Sequence, residues 1–211
     1  MEQYDEETII KKPRLNKKAR TKKKVETTEE EKKARMLKTS NTHKMKRAFS
    51  ESKVLDLVDL EDFKENDSLH FISRGDVDSF SYLKAMSRKQ KLKYVLISTW
   101  CIGRRDIEDI KEMIENGKIE KLDVYGGEIL PSTYKNEFLM LKEVVENNNG
   151  RMCIFRNHSK VCVGLGEKFD FAIESSANVN TNPRTEQTTI TISKELAKFY
   201  KAFYDGIKSF I

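Results

Sequence analysis

Residues 155–190 read FRNHSKVCVGLGEKFDFAIESSANVNTNPRTEQTTI, and this stretch decides both the fold and the chemistry that the sequence predicts. Two apolar runs, residues 160–165 and 169–175, predict neighbouring strands, and a further strand is predicted at 187–193. His158 and Lys160 stand at the entry to the first of these strands, one residue apart. On an extended segment their side chains therefore point to the same face.

Four polar groups gather at these predicted strand ends: the imidazole of His158, the ammonium of Lys160, the amide of Asn178 and the carboxylate of Glu186. Such a set suits phosphoryl transfer, which needs a nucleophile, a cation and a neutral donor for the non-bridging oxygens, and a group that orients the imidazole. A single histidine at a strand end is more often an ordinary polar residue. The hypothesis therefore depends on the combination.

This combination resembles the signature of the phospholipase D superfamily. That signature is His-x-Lys, four further residues and Asp, then a Gly/Ser-rich turn ending in Ser-x-Asn, with a Glu some residues later. Here His-Ser-Lys stands at 158–160, Ser-Ala-Asn at 176–178, and Glu186 where the later acid would fall. The motif occurs once, so the chain resembles the single-motif branch, which includes bacterial nucleases that dimerise to complete one site.

Two positions depart from the family pattern. The signature Asp would fall at position 165, where this chain has Leu165. The next aspartate is Asp170, five residues further on. The Gly that precedes the motif Ser is also absent, since Glu174 and Ser175 stand there. In the family that Asp usually supports the fold rather than attacking the substrate, so its loss does not by itself remove the reaction.

The resemblance implies a metal-independent phosphodiesterase that works in two steps and needs no cofactor. His158 would form a phosphohistidine that water then hydrolyses, Lys160 and Asn178 would bind the non-bridging oxygens, and Glu186 would hydrogen-bond an imidazole. The leaving group needs a second histidine as its acid. A homodimer that supplies His158 from both subunits is the economical solution.

Three further residues are candidates for the substrate-binding surface. Ser176 lies in the Ser-x-Asn turn with Ser175 beside it, and Trp100 follows a predicted strand at 94–98. For Trp100 a packing role is an equally good interpretation.

The remaining sequence predicts an α/β fold. Strands are predicted at 69–73 and 119–125, and helices from Asp76 or Asp78 to about residue 89, at 106–116 and at 131–147. A closing helix at 194–208 presents a stripe that we interpret as a core face. The stripe consists of Leu196, Phe199, Phe203 and Ile207. This order predicts a phospholipase D-like α/β sandwich with a mixed sheet flanked by helices, over residues 54–211.

Residues 1–53 form a separate, basic segment. They contain 17 Lys and Arg against 9 Asp and Glu, a net charge of +8 in a chain whose total is +6. With few large apolar residues, the segment predicts a disordered arm, with a short helix possible at 28–38. The arm fits a contact with DNA or RNA, a solubilising leader or, third, a nuclear localisation signal.

Composition bounds the remaining possibilities. The three cysteines, Cys101, Cys153 and Cys162, lie in or beside apolar runs without metal-ligand spacing, so we expect buried thiols and no metal. No apolar run approaches membrane-spanning length, and the N-terminus lacks a signal-peptide pattern, so a cytoplasmic protein is expected.

The basic arm favours DNA or RNA over phospholipid as the substrate. Two alternatives stay open. One is a catalytically degenerate nucleic-acid-binding module, which is favoured by Leu165 at the position of the signature Asp, and the other is a lipid-directed phosphodiesterase.

Overall fold

The structure is a computed structural model that describes residues 46–59 and 61–210. Most of the predicted basic arm, including the helix predicted at 28–38, lies outside the described residues. The described chain begins with helix α1, residues 46–59. None of the helices in this part of the chain is long and apolar enough to cross a membrane.

Seven strands and five further helices follow α1. In chain order they are β1 (Ser68–Ser73), α2 (Ser79–Lys89), β2 (Leu92–Thr99), α3 (Arg104–Glu115), β3 (Leu122–Gly127), α4 (Leu130–Thr133), α5 (Lys135–Asn147), β4 (Met152–Phe155), β5 (Val161–Gly166), β6 (Asp170–Ser175), β7 (Glu186–Ile192) and α6 (Lys194–Asp205).

All seven strands form one mixed sheet in the order β1-β7-β6-β5-β2-β3-β4. Strands β2, β3 and β4 are parallel to one another, while β5 is antiparallel to β2 and every remaining pair is antiparallel. Helices cover both faces of the sheet. The predicted α/β fold class with a mixed sheet is therefore confirmed.

Local sequence signals explain where several helices begin and end. The Asp78 side chain accepts a hydrogen bond from Ser81 N at 3.0 Å and so caps α2. The sequence predicted a cap at either Asp76 or Asp78. Gly117, at φ 67°, ends α3 as predicted. The helix predicted at 131–147 is interrupted at Tyr134, which separates α4 from α5.

The two faces of the sheet are covered unequally. Helices α2, α3 and α5 and part of α1 enclose the larger apolar cluster, whereas α6 packs on β5 and β6 over a smaller one. The interpretation of the α6 stripe as a core face is wrong for its two phenylalanines: Phe199 is 63% exposed and Phe203 57%. The helix buries Ala197 and Tyr204 instead. The small side chain of Ala197 lets α6 approach the sheet closely, and the Tyr204 hydroxyl hydrogen-bonds Ser159 Oγ.

Helix α1 belongs to the folded part of the chain, and the predicted boundary between residues 53 and 54 falls inside it. Its Arg47 is buried and forms ion pairs with Glu51, with Asp78 at 3.1 Å and with Asp106. Asp78 and Asp106 are also buried, so one guanidinium joins α1 to both α2 and α3. Lys84 adds a further ion pair to Glu51 at 3.0 Å.

Candidate functional site

The predicted site residues meet at one edge of the sheet. This edge contains the C-terminal ends of the parallel strands β2, β3 and β4 and, because β5 is antiparallel to β2, the N-terminal end of β5. The antiparallel pairing of β6 and β7 adds the end of β6 and the start of β7. Trp100, the 158–160 triplet, the 175–178 turn and Glu186 all follow or precede these strand ends.

Asn157 fixes the segment that carries His158. It is buried, and its Nδ2 donates to Ser98 Oγ at 2.9 Å and to Tyr125 O at 2.8 Å, which lie on two adjacent parallel strands. Its Oδ1 accepts from Ser159 N at 3.0 Å and from Ser159 Oγ at 2.7 Å. The residues on both sides of His158 are therefore held against the ends of β2 and β3.

Glycine at position 127 permits this close packing. A Cβ atom at Gly127 would lie 2.7 Å from Trp100 Cδ1 and 3.0 Å from Asn157 O. Any larger residue at the end of β3 would push the two segments apart.

His158 and Lys160 are in direct contact. Lys160 Nζ lies 3.0 Å from His158 Nδ1 and donates to His158 O at 2.7 Å. Because an ammonium only donates, a hydrogen bond between the two side chains has the ring nitrogen as its acceptor. The His158 ring is exposed and packs against Trp100 with the ring centroids 5.5 Å apart. The pair thus presents an imidazole and an ammonium together at the surface.

Lys160 is partly buried, and this burial lowers the pKa of its ammonium below the usual lysine value. The nearby side chains of Cys101 and Glu186 act to raise the pKa of Lys160 and so oppose the effect of burial. The Cys101 thiol is buried near Lys160, and this burial raises its pKa. The ammonium therefore lies in a partly desolvated place, where its attraction for a phosphate oxygen is stronger than in water.

Glu186 is buried at the start of β7 and contacts two side chains. Its Oε2 accepts from Ser176 Oγ and its Oε1 from Asn182 Nδ2 at 3.0 Å. Within the described residues neither oxygen is paired with the His158 imidazole. In this single chain Glu186 therefore orients the turn that follows β6, and the hydrogen bond to an imidazole stays a prediction.

Asn178 and Ser175 take different positions in that turn. Asn178 is partly buried, and its Oδ1 has no hydrogen-bond partner in the described part of the chain. The Ser175 hydroxyl is engaged with Thr188 Oγ1 at 2.8 Å and with Gln187 O at 3.2 Å. The Asn178 side chain therefore has an unpaired acceptor oxygen in this part of the chain, whereas the Ser175 hydroxyl closes the turn.

The acid that follows the motif does not reach the site. Leu165 pairs with Asp170 at the opposite end of β5 and β6, and Asp170 Oδ1 accepts from Gly166 N at 3.2 Å. Five residues of β5 separate this end from Lys160, roughly 16 Å at the rise of a strand. Asp170 thus supports the β5–β6 turn.

Two cavities differ in their suitability for a phosphate. One of about 720 Å³ lies at the β5–β6 turn, far from His158, and acidic side chains line much of it. A groove of about 480 Å³ lies beside His158 and is lined mainly by aromatic side chains of α6 and of residues 155–161. The edge with the second groove suits a phosphate better, because five carboxylates outnumber three lysines in the wall of the first cavity.

Sequence reasoning missed four polar residues of this edge: Cys101, Asn157, Asn180 and Asn182. Asn157 precedes the motif histidine directly, so its position was a usable signal. The others lie in loops, and only the strand order brings them near Lys160 or Glu186.

Comparisons with known proteins give likenesses of fold. No protein-family model matches the sequence, and no curated protein matches it. The structure is similar to NucT from Helicobacter pylori, with 17% identity and a TM-score of 0.45, over 67% of this chain and 94% of NucT. It is also similar to polyphosphate kinase from Porphyromonas gingivalis, with 14% identity and a TM-score of 0.49, over 65% of this chain and 25% of that protein.

A third likeness is to phosphatidylserine synthase from Haemophilus influenzae, with 10% identity and a TM-score of 0.46, over 65% of this chain and 37% of that protein. At these identities the likeness describes the fold alone and assigns no role to any residue here.

Proposed function

We propose that this chain is a phosphodiesterase of the phospholipase D type that cleaves DNA or RNA without a metal ion. The observation that carries the proposal is the contact between Lys160 Nζ and the His158 ring, 3.0 Å from Nδ1, at an exposed edge of the sheet. An imidazole beside an ammonium is suited to attack an anionic phosphodiester, because the cation offsets the charge of the substrate.

In the first step a ring nitrogen of His158 attacks phosphorus. The new P–N bond forms as the P–O bond to the leaving oxygen breaks, and that oxygen takes a proton from a second imidazole. Lys160 binds a non-bridging oxygen, and the Asn178 amide donates to another. In the second step water attacks phosphorus and gives a proton to the second imidazole, the P–N bond breaks, and both imidazoles return to their starting state.

The second imidazole comes from another copy of the chain. Within the described residues the other histidine is His70, which stands on β1, three strands away from β5 in the sheet. A homodimer with a two-fold axis near His158 would bring two copies of His158 to one phosphate, where Glu186 would hydrogen-bond an imidazole.

Exposed arginines at the same edge support a polyanionic substrate. Arg74 follows β1, Arg156 follows β4 and Arg184 precedes β7, and all three are exposed. Together with the basic residues 1–53, they provide cations along several phosphates of a polynucleotide. Trp100 and Ser176 complete the substrate-binding surface, with Ser175 closing the turn behind them.

The test uses single- and double-stranded DNA and RNA incubated in EDTA with wild type, His158→Ala and His70→Ala. We expect cleavage by wild type and His70→Ala and none by His158→Ala. Cleavage that persists in His158→Ala would remove the proposed nucleophile.

A nucleic-acid-binding module without catalysis is the second candidate, and Leu165 at the motif Asp position favours it. No cleavage by wild type, combined with equal salt-sensitive binding by wild type and His158→Ala, would establish that function instead.

A further inference from the structure

The exposed aromatic side chains of α6 lie directly beside the candidate site. The groove next to His158 is lined mainly by apolar and aromatic side chains, which are Phe155, Val161, Phe199, Tyr200, Phe203 and Tyr204. Phe199 and Phe203 are four residues apart, so they lie on one side of the helix. More than half of each ring is exposed, although both sit at the wall of an apolar groove.

From this face we propose that α6 forms the two-fold interface of a homodimer, with Phe199 and Phe203 of each copy entering the groove beside His158 of the other. The inference rests on the proposed function in one respect: that function needs a second imidazole at the site. It adds the surface that brings the second copy there.

The face has the form that a two-fold interface requires. In such an interface the same patch contacts itself, so it must contain both a protruding element and the recess that receives it. Here the two phenylalanines protrude and the groove of about 480 Å³ lies next to them. Adjacent exposed aromatic residues around an apolar recess are typical of surfaces that bind another protein.

The charges of α6 favour a second copy over a polynucleotide. The helix carries Lys194, Lys198 and Lys201 against Glu195 and Asp205, a net charge of +1. Lys201 is engaged, since its Nζ lies 2.6 Å from Asp205 Oδ2 and 4.8 Å from the centre of the Tyr94 ring. A polynucleotide path would need a stripe of cations with free bonding capacity. The groove is lined by one arginine, Arg156, and α6 offers signs that nearly balance.

The interface also connects physically to the motif. Tyr204 on the buried side of α6 hydrogen-bonds Ser159 Oγ at 2.6 Å, and Ser159 is the residue between His158 and Lys160. A partner helix docked against α6 would therefore press on the element that holds the motif in place.

The experiment measures the molar mass of the full chain by sedimentation velocity over a concentration series. One variant carries the double substitution F199E/F203E. The matched control, L139E, places a glutamate at an exposed apolar position on a different helix, α5. We expect wild type and L139E at twice the 24.6 kDa of one chain. In F199E/F203E the dissociation constant should rise by on the order of 100-fold, because central aromatic residues dominate interface energetics.

Circular dichroism should show the same folded signal for all three proteins, since both phenylalanines are exposed in one chain. Wild type that sediments as a single chain at every concentration would overturn the inference, as would a F199E/F203E variant that dimerises like wild type. If wild type is a single chain and F199E/F203E loses binding to single-stranded DNA, the face belongs to nucleic acid instead.

The mass measurement separates this inference from the proposed function. A dimer that depends on Phe199 and Phe203 but cleaves nothing would retain the interface and reject the phosphodiesterase. Cleavage by a protein that remains a single chain would reject the interface and retain His158 as a nucleophile.

Discussion

The two faces of the sheet are built for different purposes. On one face α1, α2, α3 and α5 enclose the large apolar cluster, and a buried group of charges around Arg47 joins three of the helices. On the other face, α6 is the helix that covers the sheet in the described part of the chain, and it leaves two phenylalanines exposed beside His158. We expect the first face to supply most of the stability and propose that the second, with the adjoining edge, serves cleavage and dimer formation.

This difference separates two kinds of substitution. A change in the charge cluster should affect folding and leave the chemistry of His158 intact. A change at the edge should affect cleavage more than folding. The following predictions test that division, in order of expected effect.

The largest effect on stability is expected for Arg47→Met. Removing the guanidinium leaves Asp78 and Asp106 buried beside each other without their cation, which should lower the free energy of unfolding by about 3–5 kcal/mol. Urea denaturation measures it. The control is Arg88→Ala, which breaks a 2.6 Å pair with Asp59 whose side chains are 51% and 33% exposed and should cost no more than about 1 kcal/mol. Equal losses in the two variants would show that the cluster is not the main attachment of α1.

A smaller loss is expected for Asn157→Ala, which tests whether the edge depends on the support beneath it. The carbonyl of Tyr125 would lose its 2.8 Å donor, and the segment around His158 would lose its anchor. We expect a fall of about 1–3 kcal/mol in the free energy of unfolding, as for a buried polar group left unpaired.

In the same variant kcat should fall while the thermal midpoint stays far above the assay temperature. The control Asn136→Ala removes an exposed amide from α5. If Asn157→Ala retained full kcat, the anchor would be structural only.

The smallest effect is expected on the pH dependence of the free energy of unfolding. Burial, followed by the nearby carboxylate of Asp78, raises the pKa of Asp106 to about 7, against 3.8 in an unfolded chain. Between these values the folded protein binds a proton that the unfolded chain releases. The contribution of Asp106 to stability is therefore present below pH 3.8 and is lost as the pH rises through 7, by at most about 1.4 kcal/mol per pH unit.

Asp106→Asn should make this decline shallower, and urea denaturation from pH 4 to 8 measures it. Asp62→Asn, at an exposed position, controls for the loss of one carboxylate. An unchanged slope in Asp106→Asn would place the titrating group elsewhere in the cluster.

Much of the fold could be predicted because apolar runs and helix caps are local signals. The strands around the motif, the cap at Asp78 and the end of α3 at Gly117 all follow from residues adjacent in sequence. The spacing of His158 and Lys160 likewise predicted one shared face, and the structure brings them into contact.

The failures concern contacts between distant residues. Arg47 lies in a charge-rich stretch that is typical of a disordered arm, and its burial depends on acids 31 and 59 residues further along the chain. In α6 the amphipathic pattern identified an apolar stripe but could not show which apolar residues face the sheet. Ala197 and Tyr204 are the residues that α6 buries against the sheet. The small side chain of Ala197 lets the helix approach the sheet closely, and the Tyr204 hydroxyl hydrogen-bonds Ser159 Oγ.

The most direct test of the central claim is to identify the covalent intermediate. Full-length protein would be mixed with an oligonucleotide and quenched in alkali, which preserves phosphohistidine, and its peptides analysed by mass spectrometry. The account predicts a phosphate-linked nucleotide on the peptide that contains His158, and none in His158→Ala. An adduct on another residue, or cleavage with no adduct on His158 at any time, would contradict it.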